Sequence, residues 1–273
     1  MSDFLEQVVA ERRAYVAEAR ERRLLPLPDL GGDLWLAGVG DAFTGDLVSA
    51  KNTQRVAVIA EVKRVSPALG RLAAEETSAE IQAQRYVAAG ATALSVLTEP
   101  RHWGGSLEDL VRVRAAVGPR VPILCKDIVV DEYQIAEAAE AGASAVLLIA
   151  EALSDGELRA LKLRASTLGL GVLVEAHEPG AFARAVATGA TVVGVNARDL
   201  RRPQEIDPRR VDALHSLVQP HQILVAESGI GSIEDVRRLP ARVNAVLVGT
   251  ALMRSADPGV LIREIAALAW SAT

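Results

Sequence analysis

Five short stretches carry the residues that could do chemistry. Glu61 and Lys63 close the run VAVIAEVK, Lys126 follows VPILC, Glu175 closes GVLVE, Asn196 and Arg198 close TVVGVNAR, and Glu227 with Ser228 follows QILVA. Each follows an apolar run of strand length. Residues two apart share a face of a strand. Ala57, Ile59, Glu61 and Lys63 therefore share one face, as do Leu124 with Lys126, Leu173 with Glu175, and Gly194 with Asn196 and Arg198. A single strand-end charge is ordinarily just solvated. A Glu, two Lys, a second Glu, an Asn and an Arg at four strand ends point instead to one shared site. Lysines alternating with carboxylates supply an acid and a base held apart, with proton affinities tuned by their neighbours.

Such a site needs a scaffold that brings many strand ends together. Apolar runs at 56–62, 92–97, 121–125, 144–149, 171–175, 191–195, 222–226 and 243–248 predict eight strands. Helical patterning fills the gaps, as at 78–89 and 131–141. Thr77 with Glu80, and Ser154 with Glu157, have the spacing of capping boxes. Gly90, Gly142 and Gly189 end three helices in similar phrases and predict left-handed C-terminal caps. Strands alternating with helices give a closed barrel or an open doubly wound sheet. The count of eight favours the barrel, and no GxGxxG follows the first strand. The length of 273 residues suits one (β/α)8 barrel of about 250 residues. Few aromatics leave an aliphatic core, as strands buried on both faces require.

The chain divides into an N-terminal helical extension, 1–54, and a catalytic barrel, 55–273. Within 1–24, Phe4, Leu5, Val8, Val9, Tyr15 and Val16 form an apolar stripe, so an amphipathic helix is expected there. Residues 25–54 read as a connecting segment, with prolines and glycines among mixed polar residues.

In such barrels chemistry is built at the C-terminal strand ends. Thr98, Glu99, Asp127 and Glu151 also fall there, as do SGIGS at 228–232 and VGTAL at 248–252. Glycine-rich loops after the seventh and eighth strands often bind phosphate through backbone N–H groups. The net charge of −5, with no basic block, argues against nucleic acid. No apolar run approaches the ~18 residues of a membrane span, and the charged start MSDFLEQVVAERR is unlike a signal peptide. A cytoplasmic location is expected. The lone Cys125 excludes an intramolecular disulfide and a Cys-rich zinc site, and its parity, opposite to Lys126, turns it toward the helices. His102, His177, His215 and His221 lack metal-site spacing, so no metal is expected, and His177 reads as a loop histidine. Trp103, in RHWGGS, is either a packing residue or a pocket wall.

These residues lie in blocks that resemble a known family. IAEVKRVSPALG (59–70), LTEPRHWGGS (97–106), LCKDIVVDEYQIAEAAEAGASAVLLI (124–149), LVEAH (173–177), VGVNARDL (193–200), VAESGI (225–230) and VLVGTALM (246–253) resemble the signature blocks of indole-3-glycerol-phosphate synthases, in the same order. The resemblance implies a TIM barrel acting in tryptophan biosynthesis or a specialised indole pathway. It implies ring closure of 1-(2-carboxyphenylamino)-1-deoxyribulose 5-phosphate with loss of carbon dioxide and water, and no cofactor. It implies Lys126 as general acid at the ketone and Glu175 as general base in the later steps. Lys63 would bind phosphate or carboxylate and protonate the departing hydroxyl, partnered by Glu61, while Asn196 and Arg198 orient the intermediate. Ser66, Ser228, Gly229, Gly249 and Thr250 would meet phosphate and the substrate's end, with Glu227 in support. Trp103, Ile128, Leu147, Ile149 and Leu200 would form the pocket for the aryl ring.

The sequence departs from the family pattern in three places. Arg-Lys-Asp-Phe becomes Cys125, Lys126, Asp127, Ile128, which removes an aromatic wall. Ser-Pro-Ser-Lys-Gly becomes Ser66, Pro67, Ala68, Leu69, Gly70, which removes one basic residue. Glu-Val-His becomes Glu175, Ala176, His177. None of these touches a catalytic charge. Two other readings compete: a barrel isomerase acting on another phosphorylated intermediate, and an idle paralogue that binds a phosphorylated ligand. A monomer or a homodimer fits equally.

Overall fold

The computed structural model describes residues 3–22, 41–72 and 78–269. Eight strands form a closed barrel: β1 Ala57–Val62, β2 Ala93–Leu97, β3 Ile123–Lys126, β4 Ala145–Ile149, β5 Gly171–Ala176, β6 Val192–Asn196, β7 Ile223–Glu227 and β8 Ala245–Val248. Every neighbouring pair is parallel, and β8 closes the ring against β1, with Ala57 opposite Ala245. All eight predicted strands are present within two residues at each end. The helices are α1 Phe4–Arg22, α2 Ala42–Asn52, α3 Ala79–Ala88, α4 Leu107–Val117, α5 Glu132–Glu140, α6 Asp155–Thr167, α7 Pro179–Ala187, α8 Arg209–Leu214, α9 Ile233–Arg237, α10 Thr250–Arg254 and α11 Pro258–Ala266. None is long and apolar enough to cross a membrane.

Strand alternation splits the core in two. Ala57, Ile59, Leu124, Leu173, Val225 and Leu247 fill the barrel interior. Val58, Ala60, Cys125, Val174 and Val246 face the helices. Both faces are buried, which is why the strands read as unbroken apolar runs. Ser154 and Glu157 form the expected capping box. Gly90, Gly142 and Gly189 have φ of 96°, 89° and 66°, as their C-terminal positions require. Thr77 lies outside the described residues. The start of α3 is capped by Ser78, whose Oγ accepts the Ile81 N–H at 3.2 Å.

The segment read as connecting, 25–54, contains a helix, α2. Asp41 caps it by accepting the Thr44 N–H at 3.0 Å. Phe43 and Leu47, four apart, have no exposed surface and join the inner core. Asp41 lies so close to Gly171, at the start of β5, that a Cβ there would overlap its carboxylate. Thus α2 plugs the N-terminal end of the barrel. Its signal is weak in the sequence because eleven residues carry only two strong anchors. A short antiparallel hairpin, Val65–Ser66 with Gly70–Arg71, also follows β1. Two-residue strands leave no periodicity to read.

At the other end, α1 lies over the loops that follow the strands. Leu5, Val8 and Val16 are buried with Arg12, and three arginines reach acids of the barrel loops. Arg12 pairs with Asp127 at 3.0 Å, Arg13 with Glu157 at 2.7 Å and Arg20 with Asp131 at 2.6 Å. The Phe4 N–H reaches the Arg201 carbonyl at 3.2 Å.

The plug generates a stability prediction. Truncating a buried Phe costs about 3–5 kcal/mol. Phe43→Ala should lower the free energy of unfolding by that amount in urea titration. An unchanged midpoint would mean that the barrel does not lean on α2.

Candidate active site

The C-terminal ends of the strands surround an open-mouthed cavity. Its charged wall comes from the inward positions of β1, β3, β5, β6 and β7. Lys126, at the end of β3, is the centre. Its Nζ lies 3.0 Å from Glu175 Oε2 and 3.3 Å from Glu227 Oε2. Lys63 Nζ pairs with Glu61 Oε1 at 2.6 Å. Asn196 Nδ2 donates to Glu175 Oε1 at 3.4 Å, and Asn196 Oδ1 accepts the Arg198 N–H at 3.0 Å. The Arg198 guanidinium is held by the Pro203 carbonyl.

Burial makes these charges depend on one another. Glu175 and Glu227 side chains are 1% exposed and Lys126 is 13% exposed. Burial works to lower the pKa of Lys126, but Glu175, Glu227 and Glu61 overcome it and hold that pKa above the ordinary lysine value. Burial likewise works against ionised Glu175, yet Lys126 wins and lowers its pKa. Glu227 goes the other way. Burial and the neighbouring Glu175 charge push its pKa well above the usual carboxylate range. Two carboxylates sharing one cation split in this way because both cannot ionise cheaply.

Two glycines make room for the acids. A Cβ on Gly194 would overlap Glu227 Oε1, and one on Gly249 would overlap Glu61 Oε1. Only a bare backbone lets both carboxylates lie flat against the neighbouring strands.

The uncharged wall holds Leu97, Trp103, Ile128, Leu147, Ile149 and Leu200. Trp103 is therefore a wall residue, and it also packs on Phe4 of α1, with ring centroids 5.8 Å apart. The loop carrying it is tied by buried Glu99. That carboxylate accepts the N–H groups of Arg101, His102 and Trp103 at 3.0, 2.6 and 3.0 Å. On the side of β7 and β8 the cavity meets Ser228, Gly229, Gly249 and Thr250. Ser228 and Gly229 have φ of 66° and 76°. A non-glycine residue held left-handed is strained, as often occurs at ligand-contacting turns. Gly249 precedes α10 without a side-chain cap, so the first backbone N–H groups of that turn are free of side-chain acceptors.

The cavity thus gathers all but one of the predicted site residues. Ser66 is the exception: it is 3% exposed in the hairpin after β1 and does not line the cavity. Glu99 and Asp127, placed at strand ends by the sequence but given no role there, also line it. Their strand-end positions were the available signal. Asp127 accepts from Thr98 Oγ1 at 2.7 Å besides its pair with Arg12. His177 follows β5 as expected of a loop residue, but it is 1% exposed rather than solvated.

The fold and its mouth define a (β/α)8-barrel enzyme with an acid–base cluster beside an apolar wall and a glycine-rich corner. The family profile for indole-3-glycerol phosphate synthase matches residues 5–265, and the chain belongs to that family. It is 40% identical to the indole-3-glycerol phosphate synthase of Polaromonas sp. over 97% of this chain and 98% of that one. The enzyme of the same name from Nocardioides sp. is 50% identical over 76% of this chain and 79% of that one. That from Arthrobacter sp. is 41% identical over 96% and 92%. Among solved structures, 3-hexulose-6-phosphate synthase from Salmonella typhimurium superposes with a TM-score of 0.59 at 16% identity, covering 77% of this chain and 97% of that one. At that identity the likeness extends to the fold alone.

The cavity's outer neighbour gives a test of these placements. Cys125 alternates with Lys126, is 2% exposed, and burial together with Asp127 pushes its thiol up to about 12. The thiolate is the reactive form. Native protein at pH 8 should leave Cys125 unmodified by a disulfide exchange reagent such as Ellman's, while one thiol per chain should react in denaturant. Rapid native labelling would place the sulfur on an open surface and reverse the assigned parity of β3.

Proposed function

We propose that this chain catalyses closure of the indole ring, converting 1-(2-carboxyphenylamino)-1-deoxyribulose 5-phosphate to indole-3-glycerol phosphate, carbon dioxide and water. It would thereby act as a carbon–carbon lyase in tryptophan biosynthesis. The observation that carries this reading is the juxtaposition of two lysine–glutamate pairs, Lys126–Glu175 and Lys63–Glu61, in one cavity with an apolar wall. The sequence identity to named synthases supports it. No cofactor is needed, since the aniline nitrogen supplies the electron push.

The chemistry divides among the residues as follows. The phosphate lies at the corner made by Ser228, Gly229, Gly249 and Thr250, within reach of backbone N–H groups. The aryl ring lies against Trp103, Ile128, Leu147, Ile149 and Leu200. The aryl carbon bearing the carboxylate attacks the ketone carbon, and Lys126 gives its proton to the ketone oxygen. Carbon dioxide then leaves and its bond electrons return to the ring. Lys63 protonates the departing hydroxyl, which leaves as water, while Glu175 accepts the last proton as the five-membered ring becomes aromatic. Asn196 and Arg198 orient the intermediate. Ile128 replaces the family's aromatic residue with a smaller wall, and Leu69, at 48% exposed, replaces a basic residue near the phosphate corner. Both changes act on affinity rather than on proton transfer.

Turnover tests this directly. The protein should form one indole-3-glycerol phosphate and one carbon dioxide per substrate, followed by indole fluorescence. Absence of product with correctly folded protein would defeat the reading. Removing a positioned general acid typically costs ~10²–10⁴-fold in rate. Lys126→Ala should lower kcat by that factor and change KM much less. Lys63→Ala should damage both, because that lysine also meets an anionic part of the substrate. If Lys126→Ala weakened binding and spared kcat, Lys126 would be a binding residue and Lys63 the candidate acid.

A further inference from the structure

Outside the acid–base cluster, one buried titratable group has no part in the reaction as drawn. His177, just past β5, has a side chain with no exposed surface. Its Nδ1 lies 3.2 Å from Glu151 Oε1, just past β4, and its Nε2 lies 3.1 Å from Asp199 Oδ1, just past β6. One ring therefore stands within ion-pair distance of carboxylates at the two neighbouring strand ends, although neither ring nitrogen has hydrogen-bond geometry toward them. Each carboxylate is fixed further. Glu151 Oε1 accepts the N–H groups of His177 and Glu178 at 2.8 and 2.9 Å. Asp199 accepts the Arg201 N–H at 2.9 Å and pairs with the guanidiniums of Arg201 and Arg202 at 3.4 and 2.9 Å, with Arg210 at 3.9 Å. Arg201 pairs in turn with Glu178 at 2.6 Å.

His177, Glu178 and Asp199 are close enough to suggest a metal site. The chemistry opposes it. Three arginines already crowd Asp199, and a further cation would meet them at close range. The arrangement is a tie among loops.

What it ties matters. Glu175 is two residues before His177. Asn196, Arg198 and Leu200 flank Asp199, and Ile149 lies two residues before Glu151. The proposed phosphate corner, by contrast, lies on β7 and β8. We propose that His177 is a positioning residue: by bridging Glu151 and Asp199 it fixes the ends of β4, β5 and β6, and so the placement of Glu175 and Asn196 against the reacting carbons. The catalytic part of this proposal rests on the ring-closure reading. Burial pushes the Glu151 pKa up, and His177 together with the backbone N–H groups of Glu178 and His177 opposes that push.

The test must separate positioning from stability. His177→Ala leaves Glu151 buried without its partner, so it loses stability on that account alone. The informative variant is His177→Ala/Glu151→Gln. The glutamine keeps the Oε1 acceptor for both N–H groups and removes the stranded charge, while Asp199 retains its arginines. A misplacement of about 1 Å can cost ~10²-fold in rate. The double variant should melt within a few degrees of the parent, yet turn over the carboxyphenylamino-deoxyribulose phosphate ~10²-fold more slowly, with KM within about threefold. Amide hydrogen exchange should quicken at 175–178 and 196–200 and stay unchanged at 228–230 and 248–250. Recovery of kcat to near the parent value together with the melting temperature would reduce His177 to a stability residue and overturn the proposal. Unchanged exchange at 175–178 and 196–200 would overturn it equally. If the parent protein showed no turnover, the ring-closure reading would fall, and the exchange measurement would still decide whether His177 ties the loops.

Discussion

A buried ammonium cannot stand alone. Taking a charge out of water costs several kcal/mol unless partners of opposite charge are supplied. Lys126 meets that constraint by lying between Glu175 and Glu227, 3.0 and 3.3 Å away. These three groups come from β3, β5 and β7. No two neighbouring strands could provide them, and only closure of the barrel brings all three to one point. The cluster in turn limits its surroundings. Gly194 must lack a side chain so that Glu227 can lie against β6. Asn196 must stand beside Glu175 to satisfy its second oxygen.

Charge compensation within the cluster is uneven. Two acids share one strong cation, so Glu175 stays ionised and Glu227 is driven toward the neutral form. The two added helices protect this arrangement from opposite ends. Helix α2 fills the bottom of the barrel with Phe43 and Leu47. Helix α1 covers part of the top, where Arg12 compensates buried Asp127 beside Lys126 itself.

Much of this was legible in the sequence, for definite physical reasons. Barrel strands buried on both faces are plain apolar runs, so eight of them could be counted. Parity then turned Glu61, Lys126, Glu175 and Asn196 inward and Cys125 outward, and the structure has them so. What stayed hidden depends on partners far apart in the chain. Phe43 and Leu47 look like stray apolar residues until the barrel's lower end is known. Asp127 looks like a solvated strand-end charge until Arg12, 115 residues away, lies beside it. His177 reads as an ordinary loop residue because Glu151 and Asp199 are its partners only in three dimensions. The hairpin around Ser66 is too short to leave a pattern, so its position off the cavity wall could not be inferred.

The layout also separates two demands that compete in most active sites. An anionic end group needs donors that hold it still and may remain in contact with water. Proton transfer needs groups kept dry and fixed within fractions of an ångström. Here the glycine-rich corner on β7 and β8 uses backbone, which costs no side-chain order to present. The acid–base side uses buried charges, each locked by another: Lys126 by Glu175, Asp127 by Arg12, Asp199 by Arg201 and Arg202. Substitution at the wall, as at Ile128, can therefore reshape the apolar side of the cavity without touching the buried ion pairs. The barrel permits that division because the apolar wall and the glycine-rich corner stand on different strand ends above one shared register.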